Sequence, residues 1–461
     1  MIADVLSKSF LADQLAAVER AMQDLQPGEL EPDDVRRASR AIAAARGDMP
    51  PGQATFGPPP SGTRSGEADL DEVSYFAREP VISLLQSALE EHMETHLPDA
   101  LEPVAPVAVE GGTRGPADFL PVADRRLGGQ DRRFAGPFEI TDPGWIASFI
   151  TFQLRRLRRK HPFNSQPAAP VEMDEHARLI LVGDWGSGLP RAQRVAAQMR
   201  KVLDEGIAER LQQHVVHLGD VYYSGLEREC DRRFLAHWPV RPDEAQTITS
   251  WALNGNHDMY SGGHAYFDRL LADSRFARQE RSSFFSLRGP NWEVLGLDTA
   301  WDEEDIHDPR TDLGLKDPQA DWVAERARES DRKLLLLSHH QMLSAYSEVG
   351  PVLARKLAAP LADGRIAAWF WGHEHRCMTY KPAGGLRYGR CIGHGGVPVY
   401  MSHDADDPYP EPGEYEYRDF LGGWPERWAI LGFAVLDFAG ETIDVRYIDE
   451  NGTEHHSERL A

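Results

Sequence analysis

The chain has 461 residues, 73 of them acidic and 50 basic, for a formal net charge of −23 at pH 7 with histidine neutral. That length admits two or three domains, and the acidic balance excludes general binding to nucleic acid or anionic membranes, which calls for a basic surface. Polyanionic substrates are repelled by such an exterior, so small esters or phosphoproteins suit it better. The three cysteines, Cys230, Cys377 and Cys391, follow no zinc or disulfide spacing, and a reducing compartment is expected. The first residues lack a basic segment followed by a long apolar core, so no secretory leader is expected and the localisation is read as cytoplasmic.

Residues 1–48 read as a helical segment: Leu11, Leu15, Val18, Met22 and Leu25 fall on one face, which suits self-association or packing on the main domain. Residues 49–70 are rich in Pro, Gly and Ser and read as a linker. Residues 71–160 form a helical and irregular extension, with a helix starting at Pro80 and Val81, Leu84, Leu85, Ala88 and Leu89 on one side. Near its end an apolar run from Trp145 to Leu154 meets the basic run Arg155 to Lys160. That run is too short to span a bilayer, and docking on the acidic body of the same protein is preferred to lying at a lipid interface. Residues 161–175 read as the linker into a catalytic domain over 176–450, and 451–461 as a C-terminal tail.

Within 176–450, strand-length apolar runs such as Leu179 to Val182, Val215 to Leu218 and Leu334 to Leu337 alternate with helical segments such as Ala192 to Leu211. That alternation predicts a sheet covered by helices on both faces, with ligands bound in the crevice at the carboxyl ends of its strands. Polar motifs follow the runs: Asp184-Trp185-Gly186, Gly219-Asp220-Val221-Tyr222-Tyr223, Gly255-Asn256-His257-Asp258, His339-His340 and Gly372-His373-Glu374-His375. Their carboxylates, amide oxygen, imidazoles and phenol are enough to hold two metal ions, and two ions about 3.5 to 4 Å apart clamp an in-line phosphoryl displacement. Ester hydrolysis is the natural use.

Taken singly, a strand-end Asp or His is more often a cap than a ligand, and Gly-Asn-His-Asp alone reads as a turn. His373 and His375 are expected to project the same way from an extended strand end. His339 and His340 are expected to face opposite ways, leaving one of them to line the pocket or to hydrogen-bond behind it. His264, Arg376 and His394 are weaker candidates for phosphate contacts, and Asp298 reads as a structural cap. Trp428 to Phe438 and Thr442 to Ile448 predict a closing antiparallel hairpin.

The ordered motifs resemble the calcineurin-like metallophosphoesterase superfamily, in the variant of the purple acid phosphatases. Gly186 stands where most of the superfamily has histidine, and Tyr223 follows Asp220 by three residues. Gln341 departs from the proline found in many relatives. The resemblance implies an α/β fold, a β-sandwich of two mixed sheets flanked by helices, with a mainly helical N-terminal extension. It implies that Asp184, Asp220, Tyr223 and His375 hold one metal, with Asp220 bridging to a second held by Asn256, His339 and His373. The ions implied are Fe(III) and a divalent Fe, Zn or Mn, with a metal-bound hydroxide attacking phosphorus in line. His257 would stabilise the phosphate or protonate the leaving oxygen, and Asp258 would orient His257 or raise its pKa. The implied activity is an acid phosphatase-like hydrolase acting on a phosphorylated small molecule or phosphoprotein. A phosphodiesterase acting on small diesters and a phosphate-sensing scaffold with a degenerate site are the alternative readings.

Overall fold

The computed structural model describes residues 160–302, 314–346, 352–399, 401, 403–421 and 427–461. The expected N-terminal helices, the Pro/Gly-rich linker and the apolar-then-basic stretch up to residue 159 lie outside the described residues.

Strands β1 (Val171–Glu172), β2 (Ala177–Val182), β3 (Gln212–His217), β4 (Ile248–Ala252), β5 (Phe285–Arg288), β6 (Trp292–Gly296) and β7 (Lys333–Ser338) come first in the chain. They are followed by β8 (Ile366–Trp371), β9 (Cys377–Tyr380), β10 (Tyr388–Ile392), β11 (Gly413–Glu416), β12 (Gly432–Ala439), β13 (Thr442–Asp449) and β14 (Glu454–Leu460). They form two mixed sheets, one of eight strands ordered β1-β5-β6-β7-β8-β10-β9-β11 and one of six ordered β14-β13-β12-β2-β3-β4. Within the six-stranded sheet β2, β3 and β4 run parallel, and in the other β6, β7, β8 and β10 do.

The apolar runs look continuous because both faces of each strand are covered, and the pleat sends alternate residues to different layers. Leu179 and Leu181 of β2 join Leu335 and Leu337 of β7 in a core between the sheets. Their neighbours Ile180 and Val182 face outward onto helix α1 (Pro190–Glu209), whose Val195, Met199 and Leu203 recur at helical spacing. Leu334 and Leu336 face the opposite outer layer, where Val323 and Ala327 of helix α3 (Gln319–Glu329) pack; the short helix α2 (Asn256–Tyr260) lies between α1 and α3 in sequence. The two mixed sheets flanked by helices are the α/β sandwich that the resemblance implies; the single sheet suggested by the alternation alone gives way to two, each with helices on one face and the other sheet on its second.

Two boundaries also differ from expectation. Residues 454–460 are not a tail but β14, paired antiparallel with β13 along most of its length. The segment expected as a linker is laid onto the domain: His161 stacks on Phe267 with ring centres 4.4 Å apart, Ala168 donates its N–H to the Phe284 carbonyl at 3.1 Å, and β1 pairs with β5. The closing hairpin is present as β12 and β13, turned at Gly440 with φ +63°. Among the described residues no helix is long and apolar enough to cross a membrane.

A buried ion pair ties α1 to the end of β13. Glu450 is fully buried and accepts from Arg191 Nε at 2.9 Å and from Arg194 Nε at 3.1 Å, while Arg191 Nη2 also donates to the Ala429 carbonyl at 2.6 Å. Glu450→Ala should leave the buried Arg191 guanidinium without its counter-charge and lower stability by about 3–5 kcal/mol in urea denaturation. Replacing both partners by apolar residues, Arg191→Met with Glu450→Leu, should recover most of that loss.

Candidate metal centre

The polar motifs lie just past the carboxyl ends of β2, β3 and β4 in one sheet and of β7 and β8 in the other. Both sheets therefore feed one crevice. The loops that turn the side chains inward use backbone that ordinary residues avoid: Asp184 (φ 55°), Asp220 (φ 75°), His373 (φ 68°) and His375 (φ 46°) are four of the seven non-glycine residues with positive φ among the described residues. His373 and His375 consequently reach the site from a left-handed turn after β8, and not from the alternating strand end expected. Gly255 is required by close approach, since a Cβ there would run into the Asp220 carboxylate.

One half of the site is built around a phenol. Tyr222 Oη lies 2.9 Å from Asp184 Oδ1, 3.1 Å from Asp220 Oδ2 and 3.0 Å from His375 Nε2. Tyr223, the expected ligand, lies outside this group: its ring is 4.8 Å from the Arg233 guanidinium and its carbonyl accepts from His257 Nδ1 at 2.6 Å. The neighbouring phenols could not be told apart by spacing, because the turn after Asp220 is neither strand nor helix.

The other half joins Asn256, His339 and His373. His339 Nε2 lies 2.9 Å from Asn256 Oδ1, 3.2 Å from His373 Nδ1 and 3.4 Å from Asp220 Oδ2. His339 Nδ1 faces the Leu218 carbonyl at 3.0 Å, so Nδ1 carries the proton and Nε2 presents a lone pair to this group. Asn256 Nδ2 donates to Tyr260 Oη at 2.8 Å, which turns Oδ1 toward the histidines. Tyr260, one turn beyond Asn256 on α2, was missed in sequence, although the i, i+4 spacing carried the signal.

These donors fit cations. Oxygen and nitrogen lone pairs converge with too few protons to satisfy them, and neither Asp184 nor Asp220 pairs with a lysine or arginine among the described residues. Burial, then the charges of Asp184 and Asp258, hold the Asp220 carboxyl well above the usual carboxylate range. Burial, then the adjacent His340 and His373, depress His339 well below the usual imidazole value. The raised Asp220 carboxyl is the mark of a site lacking positive charge, which a bound cation would reverse, while the depressed His339 stays neutral with its lone pair available.

His257 is buried, held by the Tyr223 carbonyl, and its Nε2 lies 3.9 Å from Asp220 Oδ2; burial pushes it down to about 3. Asp258 does not orient it. Its Oδ2 accepts from the backbone N–H of Asp220 at 2.9 Å and of Gly255 at 2.8 Å, a brace between the β3 and β4 loops, and burial pushes its carboxyl up to about 7. Glu229 does similar work, accepting from the N–H groups of Tyr223, Ser224 and Leu226 at 2.6, 3.0 and 2.9 Å. His340 does not turn away from the site: its ring centre is 4.7 Å from that of His373 and its Nδ1 is 3.1 Å from Thr299 Oγ1. Of the weaker candidates, Arg376 is engaged by Glu416 at 3.3 Å and stacks on Tyr346, and His264 packs edge-on against His161. Asp298 accepts from Asn254 and from the Ala300 and Trp301 N–H groups, as a cap does.

Residues 177–377 match the family described as calcineurin-like phosphoesterase. The match supports a metal-dependent hydrolase acting on phosphoesters. Solved structures similar to the chain include GAP50, the anchor in the inner membrane complex of Plasmodium (13% identity, 62% of this chain and 88% of that one, TM-score 0.46). A dimetal phosphatase from Danio rerio aligns at 14% identity over 64% of this chain and 99% of its own, with a TM-score of 0.40. A 5'-nucleotidase from Candida albicans aligns at 12% identity over 62% of this chain and 54% of its own, with a TM-score of 0.34. Among curated proteins, none matches the chain.

The brace role of Asp258 separates two substitutions. Asp258→Asn keeps an oxygen acceptor for the loop amides and should retain activity within about tenfold, whereas Asp258→Ala should lose about 1–3 kcal/mol of stability together with bound metal. Equal loss of turnover in both variants, with metal and stability intact, would return Asp258 to the chemistry.

Proposed function

We propose that the protein hydrolyses phosphate monoesters at a binuclear centre, with Asp184, Asp220, Tyr222 and His375 holding one ion and Asn256, His339 and His373 the other. Asp220 is shared between the two. The observation that carries this reading is the convergence of two carboxylates, a phenol, an amide oxygen and three imidazoles with no cationic side chain among them. Bound ions supply Lewis acidity toward phosphoryl oxygens and a water acidic enough to ionise near neutral pH. A phenol between two carboxylates favours a hard trivalent ion, so ferric iron beside divalent iron, zinc or manganese is the pair we assign.

The side chains do the rest. His257, fixed through Nδ1 by the Tyr223 carbonyl, turns Nε2 toward Asp220, where the ring, once protonated, would hold a phosphoryl oxygen or deliver a proton to the departing alkoxide. His340, beside His373, extends the donor set toward the substrate. Phosphorylated small molecules or phosphoproteins are the substrates that the acidic composition favours, and the buried, unpaired cysteines suit a cytoplasmic setting.

Hydrolysis of an aryl phosphate monoester and of the matching diester by protein loaded with iron plus zinc or manganese tests the reading. Asp220→Ala should abolish metal binding at this centre and turnover, and His257→Ala should cut kcat by about 10²–10⁴ with metal content retained. A rate favouring the diester would move the assignment to a phosphodiesterase, and no turnover of either ester by the fully loaded protein would favour a phosphate-sensing scaffold. Iron-loaded protein should also absorb visible light through phenolate, with the band lost in Tyr222→Phe and kept in Tyr223→Phe; the opposite pattern would restore Tyr223 as the ligand.

A further inference from the structure

Outside that centre, a second group of metal-ligating side chains meets. Cys377 opens β9, His394 lies in the turn after β10, and His455 sits in β14, and one ligand atom of each falls within 4.8 Å of the others. Cys377 is 1% and His394 3% exposed. Beyond a poorly aligned approach to the Ile392 backbone, neither ring nitrogen of His394 makes a hydrogen bond among the described residues, nor does the buried Nε2 of His455. Buried imidazole nitrogens are nearly always satisfied, so three orphans beside one thiol call for an explanation.

The surroundings look built to hold these groups still. His455 Nδ1 lies 2.9 Å from Tyr415 Oη, the outer hydrogen bond that fixes the ring of a ligating histidine, and the Tyr417 ring stacks on it at 3.6 Å with planes 3° apart. The Tyr417 N–H donates to the Cys377 carbonyl, and the Gly432 N–H to that of His394, both at 2.9 Å. Aromatic packing explains the stacked ring of His455 but not the bare nitrogens of His394.

We propose that Cys377, His394 and His455 form a second metal site, distinct from the phosphoesterase centre, for a zinc-class divalent ion. One thiolate and two imidazoles are donors that zinc takes in tetrahedral sites, with the fourth position completed by a water enclosed with the ion rather than open to exchange. As the sulfur–metal bond forms, the Cys377 thiol proton leaves to solvent, while the two imidazoles give lone pairs and release none. The ion joins β9 and the β10 turn of the eight-stranded sheet to β14 of the six-stranded one. Its role is structural, because the donor atoms are closed off from solvent.

Cobalt substitution of the full-length protein tests this without reference to activity. Co(II)-loaded protein should show a thiolate-to-metal charge-transfer band that disappears in Cys377→Ser, and His455→Gln should lower total metal by about one equivalent per chain. Doing the same in an Asp220→Ala background, where the phosphoesterase centre is emptied, should leave the band in place. Absence of the band from the parent protein overturns the proposal even if the variants fail to fold. Its persistence in a folded Cys377→Ser variant overturns it equally.

Discussion

Everything at the head of the sandwich depends on one electrostatic constraint: two buried carboxylates, Asp184 and Asp220, face a phenol and imidazoles without a lysine or arginine among the described residues to neutralise them. Burying a charge unpaired is costly, and proteins accept that cost where a ligand is to supply the missing sign. The surrounding structure opposes any escape. Backbone amides of His257 and His373 bond the carboxylates at 2.9 and 2.7 Å, and Asp258 pins the two loops that carry Asp220 and Asn256. The left-handed residues in those loops persist because the bonds on either side leave no alternative.

The rest of the fold serves that arrangement. Parallel strands end at the same level, so loops from β2, β3, β4, β7 and β8 arrive together even though they belong to two sheets. The inter-sheet core of Leu179, Leu181, Leu335 and Leu337 fixes the spacing between the two sets of loops. The outer helices cover the remaining apolar faces and have no part in the site. Thus the candidate metal donors are concentrated in residues immediately following strands, while the strands supply most of the apolar core.

That division explains how much could be read in the sequence. Each motif stands out because a polar, glycine-containing cluster interrupts an apolar run, and the donors Asp184, Asp220, Asn256, His339, His373 and His375 are all found where those interruptions occur. What could not be read was orientation. Tyr222 and Tyr223 differ by one position, and which of them turns inward is decided by the irregular path after Asp220, braced by Glu229 from several residues downstream. Asp258 likewise looks like a partner for its neighbour His257, whereas the fold sends it back to the amides of Asp220 and Gly255. The apolar runs alone left the layering open, because a strand buried on both faces has the same composition whether the second cover is a helix or another sheet; the motif resemblance supplied the two-sheet sandwich. The meeting of Cys377, His394 and His455 was invisible because it joins positions far apart in the chain.

Because the residues we assign as metal donors follow strands of both sheets, an ion bound by them would act as a rivet through the sandwich. Binding to the folded chain alone adds RT ln(1 + [L]/Kd) to its stability, so folding and ion supply become thermodynamically linked. The protein's lifetime in a cell would then follow the local availability of the ion, quite apart from how fast it turns over substrate.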